Sequence, residues 1–257
     1  MRASWQHYGT YDESAHPDLW DGVVGYWAPC LGPTGTRLHD VSRFNNWGTL
    51  TNMDAATDWV IDGGQYALDF DGTNDYVQTG SVFSVANAVT LSAWIYRNND
   101  GNHVFFDKGN TINNFILFTA GGLRLRGASA TEIAGTYSTT GRWSHVVGTI
   151  SGTTGTVYAE GVQLATGTVS AVGNTADVLT LGRYTTAGGG YSFNGRMSDA
   201  AIWNRALAPN EIRNLYQLGR GGMLERRRRR RVYSVQADVV RSYLFANRGQ
   251  VIGGGAL

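Results

Sequence analysis

The chain has 257 residues, a formal net charge of +1 and a hydrophobic fraction of 42%. This composition excludes wholesale disorder, and the 35 glycines follow no Gly-X-Y period, which excludes a collagen-like fibre. With one cysteine, Cys30, the chain has no intrachain disulfide, so its core must stabilise the fold.

Residues 1–21 are polar, contain scattered aromatics and show no clear periodicity, so we predict an N-terminal arm. They lack the apolar segment of a secretory signal, and no stretch of the chain approaches roughly 18 apolar residues. We therefore expect neither a signal peptide nor a membrane span.

From Val23 onward, short β-prone runs alternate with Gly, Asn and Asp turns, which is typical of a β-sandwich. The residues Glu160-Gly161 suit a two-residue hairpin link. A single helix is predicted over 208–216, with Pro209 in its first turn and Gly219 just past its end. The predicted strands are 23–27, 65–70, 76–79, 89–96, 104–106, 115–118, 123–125, 143–150, 156–159, 162–164, 178–181 and 195–203.

Four segments, in order, resemble the bacterial and phage LamG-like family of the concanavalin A-like lectin/glucanase superfamily. These segments are residues 66–77, 89–96, 142–164 and 195–216. The resemblance implies an all-β fold: an antiparallel two-sheet jelly-roll sandwich of the laminin-G/concanavalin A-like type with one short C-terminal helix. Residues 16–29 and 40–53 resemble versions of the family found in phage and metagenomic proteins. The predicted organisation is an arm (1–21), a LamG-like jelly-roll domain (22–217) and an extended, basic, strand-forming anchor tail (218–257).

The family resemblance also implies one Ca²⁺ at the rim of the sandwich. Ca²⁺ takes six to eight oxygen ligands, and a tight turn supplies carboxylates and carbonyls together. The matching positions are Asp71, Asn74, Asp75 and Asp199. The family commonly has two acidic residues at this point, whereas this chain has Ser198-Asp199, so one potential ligand is lost. The alternative is that Asp71 and Asn74 only form Asx-turns.

We do not expect the protein to be an enzyme, and glycoside hydrolysis is a remote alternative. That reaction needs two carboxylates about 5–10 Å apart, and the glutamates are scattered along the sequence. Asp69 and Asp71 have suitable spacing but belong to the structural loop. No nucleophile, metalloprotease or phosphate-binding motif is present, and His145 is interpreted as structural.

Aromatic residues in polar loops are candidates for sugar binding. Trp47, Tyr184 and Tyr191 lie in segments rich in Gly, Asn and Thr. The alternative is that they belong to the core or to an interface, as most aromatic residues do.

Charge is unevenly distributed along the chain. Residues 218–257 carry nine arginines and two acids, whereas the preceding residues carry 12 basic and 18 acidic residues. Consecutive arginines need an acidic partner, phosphate or solvent, and nucleic acid is disfavoured because stacking aromatics are not interleaved. The β-prone end of the tail is expected to add to a sheet edge. The predicted anchoring residues are Arg226, Arg227, Arg228, Arg229, Arg230, Arg231, Tyr243 and Phe245.

These features favour a non-catalytic phage virion surface protein, a capsid decoration or head-fibre-type subunit. It would be made in the host cytoplasm, and its tail would bind other copies of itself or a capsid protein. The alternative is a carbohydrate-binding, lectin-like adhesion module that recognises host surface glycans. Neither nucleic acid nor a membrane is an expected partner.

Overall fold

The chain forms two compact units, Met1–Arg226 and Arg227–Leu257. The computed structural model describes residues 15–79, 85, 87–109, 115–129, 131–173, 177–184 and 191–224, all within the first unit. Sixteen strands and two α-helices lie in these residues: α1 (Pro17–Trp20), β1 (Val23–Trp27), β2 (Arg37–Leu38), β3 (Gly48–Thr51), β4 (Trp59–Asp62), β5 (Gln65–Asp71), β6 (Tyr76–Thr79), β7 (Ala88–Arg97), β8 (His103–Lys108), β9 (Phe115–Thr119), β10 (Leu123–Arg126), β11 (Glu132–Gly135), β12 (Trp143–Ser151), β13 (Thr154–Ala159), β14 (Val162–Thr168), β15 (Leu179–Leu181), β16 (Asn194–Trp203) and α2 (Pro209–Leu218).

The strands form two antiparallel sheets, as predicted. Sheet A has the order β14-β13-β12-β7-β16-β5-β4, and β1 pairs with the second half of β16. Sheet B has the order β11-β10-β9-β8-β15-β6-β3-β2. The jelly-roll sandwich predicted from the sequence is therefore confirmed.

Period-two alternation places one side of each strand in the core between the sheets. On β9, for example, Phe115 and Leu117 join the main core, whereas Ile116 and Phe118 lie on the outer face of sheet B. The predicted hairpin is also confirmed: Glu160 and Gly161 both have positive φ, 52° and 72°, as a tight two-residue link requires.

The outer face of sheet A carries a second apolar cluster, which helix α2 covers. Ile212 and Leu215 are buried there, and the ring of Tyr216 stacks on Trp94 with centroids 5.9 Å apart. Glu211 accepts a hydrogen bond of 2.7 Å from the backbone N–H of Ala208, which caps the helix. None of the helices described is long and apolar enough to cross a membrane.

The folded body extends past both predicted domain boundaries. In the predicted arm, α1 buries Leu19, whose carbonyl accepts a hydrogen bond of 2.6 Å from the Trp203 indole. In the predicted tail, Met223 is buried, and the guanidinium of Arg220 lies 4.0 Å from the centre of the Trp143 ring. These elements could not be predicted from the sequence because α1 is one turn long and the segment after α2 has no periodicity.

Candidate functional site

The loop at residues 71–75 is held by its own backbone. Oδ1 of Asp71 accepts hydrogen bonds from the N–H groups of Thr73 (2.6 Å) and Asn74 (3.2 Å). Oδ2 of Asp75 accepts one from the N–H of Asp71 at 2.9 Å. Burial acts to raise the pKa of Asp71, but the backbone donors outweigh it and lower that pKa; burial raises the pKa of Asp75.

Neighbouring side chains occupy two carbonyls of the same loop. The amide of Asn52 donates to the carbonyl of Asn74 at 2.9 Å, and the hydroxyl of Ser192 donates to the carbonyl of Thr73 at 2.9 Å. This pattern is that of an Asx-turn stabilised by the adjoining strands.

Asp199, the fourth predicted calcium ligand, lies elsewhere. The pairing of Asn194 with Asp71 puts the loop at the start of β16, and Asp199 is five residues further along, a separation of about 16 Å at the rise of a β-strand. A β-bulge between Ser198 and Ala201 gives Asp199 a φ of 50° and directs it toward the segment after α2.

The structure therefore does not bring the four proposed ligands together. Among the described residues, no group of three or more His, Cys, Asp or Glu side chains is arranged to hold a metal ion. Ca²⁺ binding by Asp71, Asn74 and Asp75 with loop carbonyls stays a prediction, without Asp199 in the same site.

The Asp199 carboxylate is the centre of a buried hydrogen-bond cluster. It is 7% exposed and accepts hydrogen bonds from the Tyr26 hydroxyl (2.8 Å), the Gly221 N–H (2.8 Å), the Ser198 hydroxyl (3.0 Å) and the Cys30 thiol (3.5 Å). Burial raises the pKa of Asp199 despite these donors. Burial and the nearby Asp199 charge also raise the pKa values of Tyr26 and Cys30, which makes both groups donors rather than nucleophiles.

Tyr184 and Tyr191, two of the predicted sugar-binding residues, form a ring pair. The backbone bond from Phe193 N–H to the Gly182 carbonyl (2.8 Å) closes the base of their loop. Tyr184 and Tyr191 each lie two residues from this hydrogen bond, and their rings meet edge to face with centroids 6.3 Å apart. Tyr191 is 38% exposed, and Tyr184 packs on the outer-face cluster of Val104, Ile116 and Phe118.

The sequence did not single out Arg183 and Tyr76, which form a second contact next to this pair along the chain: Arg183 precedes Tyr184, and Tyr76 lies on β6, which pairs with β15. The guanidinium of Arg183 lies 5.3 Å from the centre of the Tyr76 ring, a cation–π arrangement that leaves its N–H groups available. The sequence feature that could have identified Tyr76 is the two-residue period of β6, in which Tyr76 and Gln78 alternate with the buried Val77. We call Tyr76, Arg183, Tyr184 and Tyr191 the tyrosine surface.

Trp47, the third predicted sugar-binding residue, directly precedes β3, at the end of that strand away from the Thr51–Tyr76 pair. Its ring meets the edge of His39 at 4.5 Å, and its indole donates to the side chain of Asn45. At the rise of a β-strand, Trp47 is about 13 Å along β3 from Thr51, the residue that pairs with Tyr76. The loop that carries it also presents Phe44, whose side chain is 47% exposed.

No arrangement for nucleophilic catalysis is formed by the described residues around His145. Its Nε2 lies 2.8 Å from the Ser92 hydroxyl, but the pair is buried beneath Trp94 and Tyr216. Burial lowers the pKa of His145 to about 3, so its imidazole is neutral. A separate group of carboxylates lies near β5. Burial raises the pKa of Asp69, Arg196 acts to lower it, and the negative charge of Asp58 raises it further.

The predicted anchoring residues Arg226 to Arg231, Tyr243 and Phe245 lie outside the described residues.

Comparison with known proteins identifies the same fold. The family model of the concanavalin A-like lectin/glucanases superfamily matches residues 71–213. No curated protein gives a significant match to the sequence.

Three solved structures illustrate the similarity. Domain 4 of AbnA, a GH43 extracellular arabinanase from Geobacillus stearothermophilus solved with arabinotriose, is 17% identical with a TM-score of 0.61; the match covers 76% of this chain and 98% of that domain. Trypanosoma rangeli sialidase in complex with sialic acid is 19% identical with a TM-score of 0.59, over 76% of this chain and 32% of the sialidase. The binding domain of Paraclostridial Mosquitocidal Protein 1 is 16% identical with a TM-score of 0.58, over 77% of this chain and 52% of that one. The match thus spans about a third of the sialidase, and at these identities the likeness is one of fold.

Proposed function

Because the chain belongs to the concanavalin A-like lectin/glucanases superfamily, we propose that it is a non-catalytic carbohydrate-binding protein. The observation that carries this proposal is the tyrosine surface, where the exposed Tyr191 meets the ring of Tyr184, and the adjacent Arg183 lies over the ring of Tyr76. Similarity to an arabinanase domain solved with arabinotriose, over nearly all of that domain, supports the same class of ligand.

The tyrosine surface combines the two kinds of contact that sugars use. The apolar C–H face of a pyranose or furanose ring packs on an aromatic side chain, while its hydroxyls exchange hydrogen bonds with polar groups. Tyr191 presents ring area and a phenol, and Arg183 presents guanidinium donors. The buried cluster under Tyr184 fixes the orientation of its ring, which reduces the entropy lost on binding.

A glycan array tests the proposal. We expect the full chain to bind a subset of printed glycans, and we expect Tyr191→Ala and Arg183→Ala to lose that signal. The matched control is Tyr66→Ala, which removes a partly exposed tyrosine from sheet A and should retain binding. An array without any bound glycan would overturn the proposal.

The proposal of a non-catalytic role rests on the hydrogen bonds that the acidic side chains already accept. Asp71 accepts backbone N–H groups, and Asp199 is saturated with donors at 7% exposure. The carboxylates with raised pKa values near β5, Asp69 and Asp75, are the ones to test for hydrolysis. Turnover of a glycan that is lost in Asp69→Asn or Asp75→Asn would show an enzyme instead.

We also propose a second role, in assembly: a phage virion surface subunit whose basic tail binds other copies or a capsid protein. The contrast between an acidic body and an arginine-rich tail favours it. Because Arg220, Gly221 and Met223 belong to the folded body, the informative truncation ends at Leu224. Purified particles that carry the truncated chain at the normal level would contradict this role.

A further inference from the structure

The two sheets have four edge strands, which are protected from further pairing to different degrees. An edge strand with free backbone groups attracts another strand, and short length, charged side chains or a covering segment prevent this. Sheet A ends in β4 and β14, and sheet B ends in β2 and β11. The longest of the four is β14, with seven residues, whereas β2 has two and β4 and β11 have four each.

The three shorter edges each carry a charged residue. Arg37 lies on β2, Glu132 lies on β11 and Asp62 lies on β4. The carbonyl of Asp62 also accepts a hydrogen bond from the Arg220 guanidinium, which occupies part of the β4 backbone. In contrast, β14 belongs to a stretch without any charged side chain, residues 161–176. The longest edge is therefore also the one without charge.

A hydrogen bond just past β14 fixes which of its backbone groups face outward. The Val169 N–H donates to the Thr153 carbonyl at 2.9 Å, and these two residues are opposite each other in the register of β13 and β14. In an antiparallel pair, hydrogen-bonded and non-hydrogen-bonded positions alternate. Thr166 and Thr168 therefore occupy non-hydrogen-bonded positions, and their N–H and carbonyl groups point away from β13. Both residues are exposed.

A β-bulge limits the regular part of this edge. The pairing partners of Val157 and Tyr158 are Ala165 and Gln163, so Leu164 is the extra residue. The part of β14 after the bulge keeps regular pairing with β13. No further strand among the described residues pairs with its outer side.

A second copy of the same edge matches the outward groups. Two β14 strands related by a two-fold axis through Gly167 run antiparallel, with Thr166 of each copy opposite Thr168 of the other. The outward N–H and carbonyl groups of both threonines then form hydrogen-bonded pairs across the axis. Cross-strand threonine pairs stabilise a sheet, and the hydroxyls of Thr156 and Thr166 already form one such pair, 3.0 Å apart.

Charge favours a second copy over a charged partner. In a two-fold contact each side chain meets the same surface of the other copy, so a charged edge repels itself. Residues 1–217 carry more acidic than basic side chains, and two copies therefore repel each other over much of their surface. This repulsion is weakest at the uncharged β14, which also offers no opposite charge to an acidic or basic peptide.

We propose that two copies of this chain associate through β14, so that their A sheets join into one continuous sheet across a two-fold axis. The contact uses no residue of the tyrosine surface, and it is independent of the proposed carbohydrate binding. A dimer of this kind carries two tyrosine surfaces, so a multivalent glycan bound by both gains avidity.

Sedimentation velocity of the full chain, over a concentration series up to about 0.1 mM, tests the proposal. We expect the wild type to reach about twice the mass of Thr166→Pro, because proline removes an outward N–H and blocks an added strand. Thr168→Lys, which puts a charge on the edge, should also reduce association and carries the test if the proline variant does not fold. The matched control is Thr49→Lys, at an exposed threonine of β3, which should associate like the wild type.

Hydrogen exchange measured by NMR identifies the contact. The amides of Thr166 and Thr168 should exchange about tenfold or more slowly at high than at low protein concentration. The amide of Gly167 faces β13 and should not depend on concentration.

Three results would overturn the proposal. The first is a wild type that stays monomeric at about 0.1 mM, and the second is an equal mass for the wild type and both edge variants. The third is protection of Thr166 and Thr168 that does not change with concentration, because it would place a segment of the same chain on the edge instead of a second copy.

Discussion

The hydroxyl of Tyr26 donates a hydrogen bond of 2.8 Å to the carboxylate of Asp199, linking β1 to the bulge of β16 across 173 positions in the chain. The same carboxylate accepts the backbone N–H of Gly221. One buried charge thus joins the first strand, the central strand and the segment after α2.

Removing one donor from this cluster should destabilise the protein moderately, and removing the acceptor should destabilise it severely. We expect Tyr26→Phe to lower the free energy of unfolding by about 1–2 kcal/mol, because Asp199 keeps its other donors. Asp199→Ala should cost about 3 kcal/mol or more, since it leaves the Tyr26 hydroxyl and the Gly221 N–H buried without an acceptor. Urea unfolding followed by tryptophan fluorescence measures both. Equal costs for the two variants would contradict this account of the cluster.

His145 should make the fold sensitive to acid. Its pKa is about 3 when folded and about 6.5 when unfolded, so between these values the unfolded chain binds the proton and stability falls as pH falls. The expected loss from this group is about 2 kcal/mol at pH 5. Unfolding free energies measured from pH 7.5 to pH 5 should fall more steeply for the wild type than for His145→Phe. Parallel pH profiles would show that His145 is not the titrating group.

Asp40 should control the order of the loop that carries Arg43 and Trp47. An asparagine has one acceptor oxygen, so Asp40→Asn cannot satisfy the four donors that the carboxylate accepts. We expect a loss of about 2–3 kcal/mol in unfolding free energy and faster amide hydrogen exchange at Ser42 and Asn46. Exchange rates equal to those of the wild type would contradict the assigned role.

The loop at residues 71–75 should depend on Asp71 whether or not Ca²⁺ is added. Asp71→Ala removes the acceptor for two backbone N–H groups, and we expect a loss of about 1–2 kcal/mol. The measurement is thermal unfolding of wild type and variant in EDTA and in excess CaCl₂. A wild-type melting temperature that rises with CaCl₂, in a way that Asp71→Ala abolishes, would instead show a calcium site.

The sequence predicts the sandwich well because its long strands are rich in β-forming residues, as in β7 and β12. Strands of two to four residues give few positions for a period to show, and of these the sequence predicts β6, β10 and β15 but misses β2, β3, β4 and β11. The position of the Asp199 side chain could not be predicted from the sequence for another reason. Strict alternation would put Asp199 on the same face as Met197, and the bulge turns it to the opposite one.

The candidate site is predicted in part. Tyr184 and Tyr191 flank a glycine-rich loop in the sequence, and the closed base of that loop makes them cross-strand neighbours. Trp47 has the same composition around it but belongs to the loop organised by Asp40. The packing of α1 against β16 gives no local signal, because the Trp203 indole and the Leu19 carbonyl that it contacts are 184 positions apart in the chain.

The central claim, that the tyrosine surface binds carbohydrate, is tested most directly by isothermal titration calorimetry with the glycan that gives the strongest array signal. We predict measurable binding by the wild type and by Tyr66→Ala, and a loss of roughly tenfold or more in affinity for Tyr191→Ala. Equal affinity for the wild type and Tyr191→Ala would contradict the claim.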